Sequence, residues 1–267
     1  MQSHKLDVSS TVQNMKIFPK IALLALFSVS FSSLTFSQNV EKQTAELEKV
    51  TQLIMDRLRA ARPDIPILSI KPAQIPGFYD VFLPAGQVLH FTPDGKHFYT
   101  GDLYGVTDEL VNLTEKGRSE DRKVLIDGLD ESQMVVFSPP KARVKATVTV
   151  FTDIDCVFCR KLHNEVPELN RLGVAVRYLA YPRSGVGSPS YDKLVSAWCA
   201  ENPKMALTHA KSGVDIPAAT CVNPVAAQFE LGGQLGINST PSLIFDDGTI
   251  SRGFQPAAEL AAILGVL

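Results

Sequence analysis

Two cysteines three positions apart, in Cys156-Val157-Phe158-Cys159, are the residues of this chain best suited to chemistry. Oxidised, the pair closes a small ring. Reduced, it offers a nucleophile and a neighbour able to displace whatever the nucleophile has bound, and the attacking species is the thiolate. Cys156 falls where a β-rich run meets a helical one. There the unpaired N–H groups and partial positive charge of a helix start favour ionised sulfur. Cys156 is therefore expected to be the exposed nucleophile, and Cys159, one turn further in, to resolve a mixed disulfide. Release by Cys159 gives net reduction; release by a second substrate thiol gives isomerisation. The competing reading, half of a zinc site, needs two more ligands at suitable spacing. Cys199 and Cys221 form no second Cys-x-x-Cys, so no metal is expected.

The neighbours of the pair carry weaker signals. Asp153 and Asp155 would oppose a thiolate by their charge, and the plainer expectation for Asp155 is helix capping. Val157 and Phe158 are expected to modulate the thiolate and touch substrate. His163, four positions after Cys159, shares its helical face. As a cation it would help the thiolate, but a surface histidine without a role is the favoured reading.

The elements that position these residues follow from pattern. A strand is expected over 145–152, rich in β-branched residues, then a helix from the Cys-x-x-Cys that Pro167 should kink or end. A strand at 174–181 and helices near 189–201, 203–212 and 224–235 come next. Strand 242–245 turns at Asp246-Asp-Gly248 into 249–252, and helix 256–266 closes the chain. This is the order of a thioredoxin-like α/β domain. In that fold Thr240-Pro241 occupies the loop facing the disulfide, where a cis-proline presents backbone groups to an extended peptide; an ordinary trans-proline at a strand start is the alternative.

Before it, a helix is expected at about 40–61, with Leu47, Val50, Ile54 and Leu58 on one face and Pro63 as its stop. Short β-like runs at 65–71, 78–83, 87–92 and 96–100 follow, with Thr92-Pro-Asp-Gly95 as a turn. Residues 38–113 thus read as a small α+β unit that gains from pairing with a second copy. Residues 114–136 read as a linker helix despite Gly117 and Gly128, or else as a helix packed on one continuous domain. Residues 137–267 form the thioredoxin-like part.

Lys16, Lys20, the apolar run from Ile21 and the Ser-rich stretch to Ser37 read as a secretory signal over 1–37, with Met15 a possible true start. A membrane anchor would need about 20 apolar residues. An exported chain permits disulfides. Four cysteines allow three pairings; the local one leaves Cys199 with Cys221, and two free buried thiols are the alternative. A formal charge of -2, 45% hydrophobic and 20% charged residues and no basic run place no nucleic acid among the partners.

Dispersed motifs add a family. Thr149-Val-Phe-Thr-Asp-Ile-Asp-Cys156, Lys161-Leu-His163, Val176-Arg-Tyr-Leu-Ala180, Trp198-Cys-Ala200, Leu235-Gly236, Thr240-Pro241 and Gly253-Phe-Gln-Pro256 resemble the periplasmic disulfide isomerases of the DsbC type and their DsbG relatives, from about Ile70 to Gly265. The resemblance implies an N-terminal dimerisation domain, a helical linker and a thioredoxin-like catalytic domain. It implies a V-shaped homodimer with both sites facing an apolar cleft. A structural Cys199–Cys221 bridge, a cis Thr240-Pro241 bond and no diffusible cofactor also follow from it. The implied partners are misoxidised exported proteins and a membrane reductase of the DsbD type. The chain departs from the family in two places: Val157-Phe158 stands for the usual Gly-Tyr, and Asp155 for the common Thr. The expected function is isomerisation or reduction of non-native disulfides in the periplasm. A DsbG-like sulfenic-acid reductase and a holdase chaperone using the cleft are the alternatives; a metal-delivery protein is a third class.

Overall fold

The computed structural model describes residues 30–267, with side chains from residue 41. The expected signal over 1–37 lies outside the described residues up to 29. Contacts divide the chain into a unit ending at Glu48 and a unit Lys49–Leu267. Helix α1 runs Ser30–Ala61 and so starts earlier than the expected 40; no Gly or Pro between Ser30 and Asn39 interrupts it. Its Val50, Ile54 and Leu58 are buried with Val81, Leu89 and Phe91 in one apolar cluster.

That cluster rests on an antiparallel sheet ordered β1 (Ser69–Pro72), β2 (Tyr79–Phe82), β3 (Val88–Phe91) and β4 (Phe98–Thr100). The β3–β4 turn needs Gly95: its φ is +62°, and a Cβ there would meet Arg57 Cδ at 2.9 Å. A further hairpin, β5 (Tyr104–Val106) with β6 (Leu110–Asn112), was not foreseen. Three-residue strands holding a glycine give too little alternation to read.

Helix α2 spans Leu113–Asp127, capped by Asn112, whose side chain accepts from the Glu115 N–H at 2.8 Å. Its Ile126 is buried among Phe151, Leu179 and Ile244, and Arg122 Nε donates to the Gly248 carbonyl at 2.7 Å.

The second large sheet has β7 (Val135–Phe137), β8 (Ala146–Thr152), β9 (Val174–Ala180), β10 (Ser242–Ile244) and β11 (Ile250–Arg252) in the order β11-β10-β8-β9-β7. β8 and β9 are parallel, joined through α3 (Val157–Leu172); the other pairings are antiparallel. Alternation sorts the strands' side chains. Val148, Val150, Val176 and Tyr178 face Leu162, Val166 and Leu169 of α3, while Phe151 and Leu179 face the α2 side. Burying each such leucine contributes roughly 2 kcal/mol.

Pro167 does not end α3, which continues to Leu172. Pro167 is exposed, while Val166 and Leu169 beside it are buried. Packing therefore holds the helix even though proline removes the hydrogen bond to the His163 carbonyl. Helices α4 (Pro189–Trp198), α5 (Pro203–Lys211), α6 (Val225–Gln234) and α7 (Ala257–Ile263) complete the domain. Among the described residues no helix is long and apolar enough to cross a membrane.

Candidate active site

Strand β8 runs out at Thr152, and Asp153-Ile-Asp155 carries the chain to Cys156, the N-cap of α3. A cysteine in that place does the work of a capping serine: its Sγ accepts the Cys159 N–H at 3.4 Å. The Cys156 sulfur also lies 3.2 Å from the Thr240 carbonyl oxygen, to which it can donate only in its protonated form. Both sulfurs are free thiols, and both are buried. The expectation of an exposed Cys156 is corrected: it is 2% exposed. Its side chain turns inward to cap the helix and is met by the Thr240 loop, 84 positions away. Val157 and Phe158 stand outside at 62% and 53% exposed, and Lys161 Nζ lies 5.5 Å from the centre of the Phe158 ring.

The two sulfurs are electrostatically opposite. The Cys159 thiol donating to Cys156 holds the latter's pKa down, helped by the nearby Thr240 side chain, the Cys159 amide and the Arg183 charge, to about 5 against the opposing effect of burial. Burial pushes Cys159 far up, and its bond to the Cys156 sulfur pushes the same way.

Asp155 does not cap α3, because Cys156 already does. Its carboxylate pairs with Lys193 Nζ at 2.8 Å and lies 3.6 Å from Arg160, so its charge is answered locally. Asp153 is buried and fully bonded. It accepts from Arg183 Nε at 2.9 Å, the Arg183 N–H at 3.0 Å, Ser190 Oγ at 2.5 Å and the Asp155 N–H at 2.8 Å. Burial pulls its carboxyl up, but these donors together hold it below the usual range.

His163 is neither a surface residue nor a cation. It lies under the site, bonded to Tyr178 Oη at 3.1 Å and Thr208 Oγ1 at 3.0 Å. Burial, with the nearby Lys211 charge, lowers its pKa to about 4, so it is neutral. The shared helical face seen in the sequence is the core face, which explains both corrections.

The Thr240-Pro241 peptide is cis. Thr240 Oγ1 is buried and, among the described residues, is the side-chain oxygen left without a hydrogen-bond partner. Away from the dithiol, a disulfide joins Cys199, at the end of α4, to Cys221 before α6. It contributes roughly 3–4 kcal/mol in the chain-entropy account. Among the described residues no three His, Cys, Asp or Glu side chains gather as a metal site.

Sequence reading missed Thr152, Arg183, Ser190 and Lys211, all of which border the dithiol or its supports. Lys211 had a signal: it follows the buried Leu207 by four positions and so shares an apolar face of α5. Arg183 had none, since only tertiary pairing brings it to Asp153.

Two family models match. One, a disulfide bond isomerase N-terminal domain, covers residues 38–115; the other, a thioredoxin-like domain, covers 133–266. The thiol:disulfide interchange protein DsbC of Dickeya dadantii is 39% identical over 196 residues, 73% of this chain and 79% of that protein. The Pasteurella multocida protein of the same name is 32% identical over 248 residues, 92% of this chain and 99% of its own. A solved disulfide interchange protein from Neisseria gonorrhoeae is 28% identical, with a TM-score of 0.46 over 51% of this chain and 96% of that one. With an isomerase N-terminal domain, a thioredoxin-like domain and relatives aligned across most of both lengths, the chain belongs to the DsbC family of thiol:disulfide interchange proteins.

Proposed function

We propose that Cys156 is the nucleophile and Cys159 the resolving thiol of this thiol–disulfide oxidoreductase. The observation that carries the reading is the sulfur at the start of α3, held near pKa 5 beside a thiol held high. Near neutral pH Cys156 is then a thiolate and Cys159 keeps its proton. The Cys156 thiolate attacks one sulfur of a substrate disulfide, and the other substrate sulfur leaves as a thiolate. A different substrate thiol then attacks the mixed disulfide, giving isomerisation, or Cys159 does so, giving reduction. Because Cys156 is buried against the Thr240 loop, substrate must open a path to its sulfur beside that loop. That loop offers the backbone of a strand-like docking edge.

Residues 38–113 serve as the dimerisation domain and α2, ending at Asp127, as the helix of the linker; the catalytic domain takes in β7, so it begins at Val135 and not at 137. Two copies form the working unit, and misoxidised exported proteins are its substrates. The Cys199–Cys221 bond suits an oxidising compartment. We place the enzyme in the periplasm, with residues 1–37 as a signal removed on export. A membrane reductase of the DsbD type returns the dithiol to its reduced state. The test is recovery of activity by a scrambled multi-disulfide protein. Cys156→Ala is expected to abolish it, whereas Cys159→Ala is expected to retain isomerisation and lose reduction. Full recovery with Cys156→Ala would leave only holdase action.

A further inference from the structure

Lys211 ends α5 with its side chain 3% exposed. A buried ammonium is costly, because the protein must replace its water. None of the ion pairs among the described residues includes it. Instead Nζ donates to Thr152 Oγ1 at 2.7 Å and lies 5.4 Å from the centre of the Tyr178 ring. Thr152 is itself fully buried at the end of β8, and its side chain, like the Lys211 charge, pulls the Cys159 thiol down against the effect of burial. Lysine head and threonine hydroxyl are therefore a bonded pair closed to solvent, and both act on the equally buried resolving sulfur.

We propose that Lys211, acting through Thr152, takes up the proton of Cys159 during the resolving step and then stands as counter-charge to the Cys159 thiolate. The inference rests on Cys159 being the resolving thiol. In the mixed disulfide, the Cys159 S–H proton passes to Thr152 Oγ1 as the Thr152 proton passes to Nζ, converting amine to ammonium. The Cys159 thiolate then attacks Cys156 Sγ. The Cys156–Cys159 bond forms, the bond from Cys156 to the substrate sulfur breaks, and the substrate leaves as a thiolate carrying the electron pair. The dithiol is oxidised and the substrate reduced, and the ammonium later returns its proton to solvent.

The surroundings suit both charge states. Burial lowers the Lys211 pKa to about 8, so amine and ammonium are both within reach near neutrality. Cys159, Cys156 and Asp153 favour the ammonium, and Arg160 opposes it. His163 on α3 is neutral and Tyr178 on β9 keeps its proton, both by burial. Forming the mixed disulfide removes the Cys156 charge and with it one support of the ammonium. The amine is thus favoured at the stage when a proton acceptor is needed. Lys211 is a positioning residue in this account, since it reaches the reacting sulfur only through Thr152.

The experiment is stopped-flow reaction of the reduced full chain with dithionitrobenzoate. Attack by Cys156 releases one nitrothiobenzoate, and resolution by Cys159 releases a second. With Lys211→Met the first phase is expected to stay within about twofold. The second should slow by about tenfold or more near pH 7 and lose its levelling-off around pH 8. Thr152→Val should slow the second phase likewise, and Thr152→Ser, which restores the hydroxyl, should recover it. A second phase unchanged in rate and pH profile in both Lys211→Met and Thr152→Val overturns the inference while leaving the dithiol reading intact. Two phases persisting in Cys156→Ala would overturn both. If Lys211→Met fails to fold, the Thr152 pair decides by the same readout.

Discussion

At the scale of single residues the dithiol works by contrast. Both sulfurs are buried, yet one hydrogen bond stabilises charge on Cys156 and confines the proton to Cys159. Since the Cys159 thiol is the largest of the causes, Cys159→Ala is expected to raise the midpoint of Cys156 alkylation above its value of about 5. Iodoacetamide rates across pH check this, and an unmoved midpoint would transfer the credit to the Thr240 side chain, the Cys159 amide and Arg183. His163 gives a second test. Its folded pKa of about 4 lies below the ordinary 6.5. Between those values the unfolded chain binds a proton that the folded chain refuses. Its contribution is thus fully present above about 6.5 and is lost as pH falls towards 4, by about 3 kcal/mol in all. Denaturant titrations should show a shallower acid loss for His163→Gln than for the parent chain. The cysteines themselves were plain in the sequence, but their depth was not. Burial of Cys156 depends on a loop 84 positions away, and His163 differs from a surface histidine only through Tyr178 and Thr208.

At the scale of elements, what was legible followed local pattern. Strands β8 and β9 alternate over seven residues each, and α3 announces itself through Leu162, Val166 and Leu169. The elements that escaped, β5, β6 and β7, have three residues apiece. β7 exists because it pairs with β9, which no local signal encodes. The seat of α2 was equally hidden. It approaches the β10–β11 turn so closely that a Cβ on Gly248 would lie 1.9 Å from the Ser119 carbonyl oxygen, at a φ of +81°. Glycine is required there twice, by conformation and by space. Gly248→Ala is therefore expected to cost more than about 2 kcal/mol, combining left-handed backbone strain with overpacking against rigid main chain. Denaturant midpoints measure it. A loss below about 0.5 kcal/mol would mean that α2 leaves the turn without penalty.

At the scale of the whole molecule, the open question is how a thioredoxin-like site is put before large misfolded substrates. One short segment exposes several apolar side chains: Val106 is 81% exposed, Leu110 72% and Tyr104 51%, all on the β5–β6 hairpin, and Phe98 on the edge strand β4 is 53% exposed. A two-stranded hairpin is marginal by itself, and an open strand edge is a standing invitation to pair. A second copy of the chain satisfies both needs at once, and this hairpin lies within the residues matched to the isomerase N-terminal domain. Placing a carboxylate at the hairpin should then oppose assembly without touching the dithiol, because burying an unpaired charge in an apolar contact is costly. The double variant Val106→Asp and Leu110→Asp is expected to weaken self-association by about a hundredfold or more, read as a fall from dimer to monomer mass by light scattering. Alkylation of Cys156 should keep its pH profile, since the pair's field arises within α3 and its neighbours. Recovery of a scrambled protein should nonetheless decline, because a single site has lost the apolar surface that holds a chain during repeated exchange. A variant that stays dimeric would move the interface off this hairpin, and a monomer with undiminished isomerisation would show that one thioredoxin-like domain suffices.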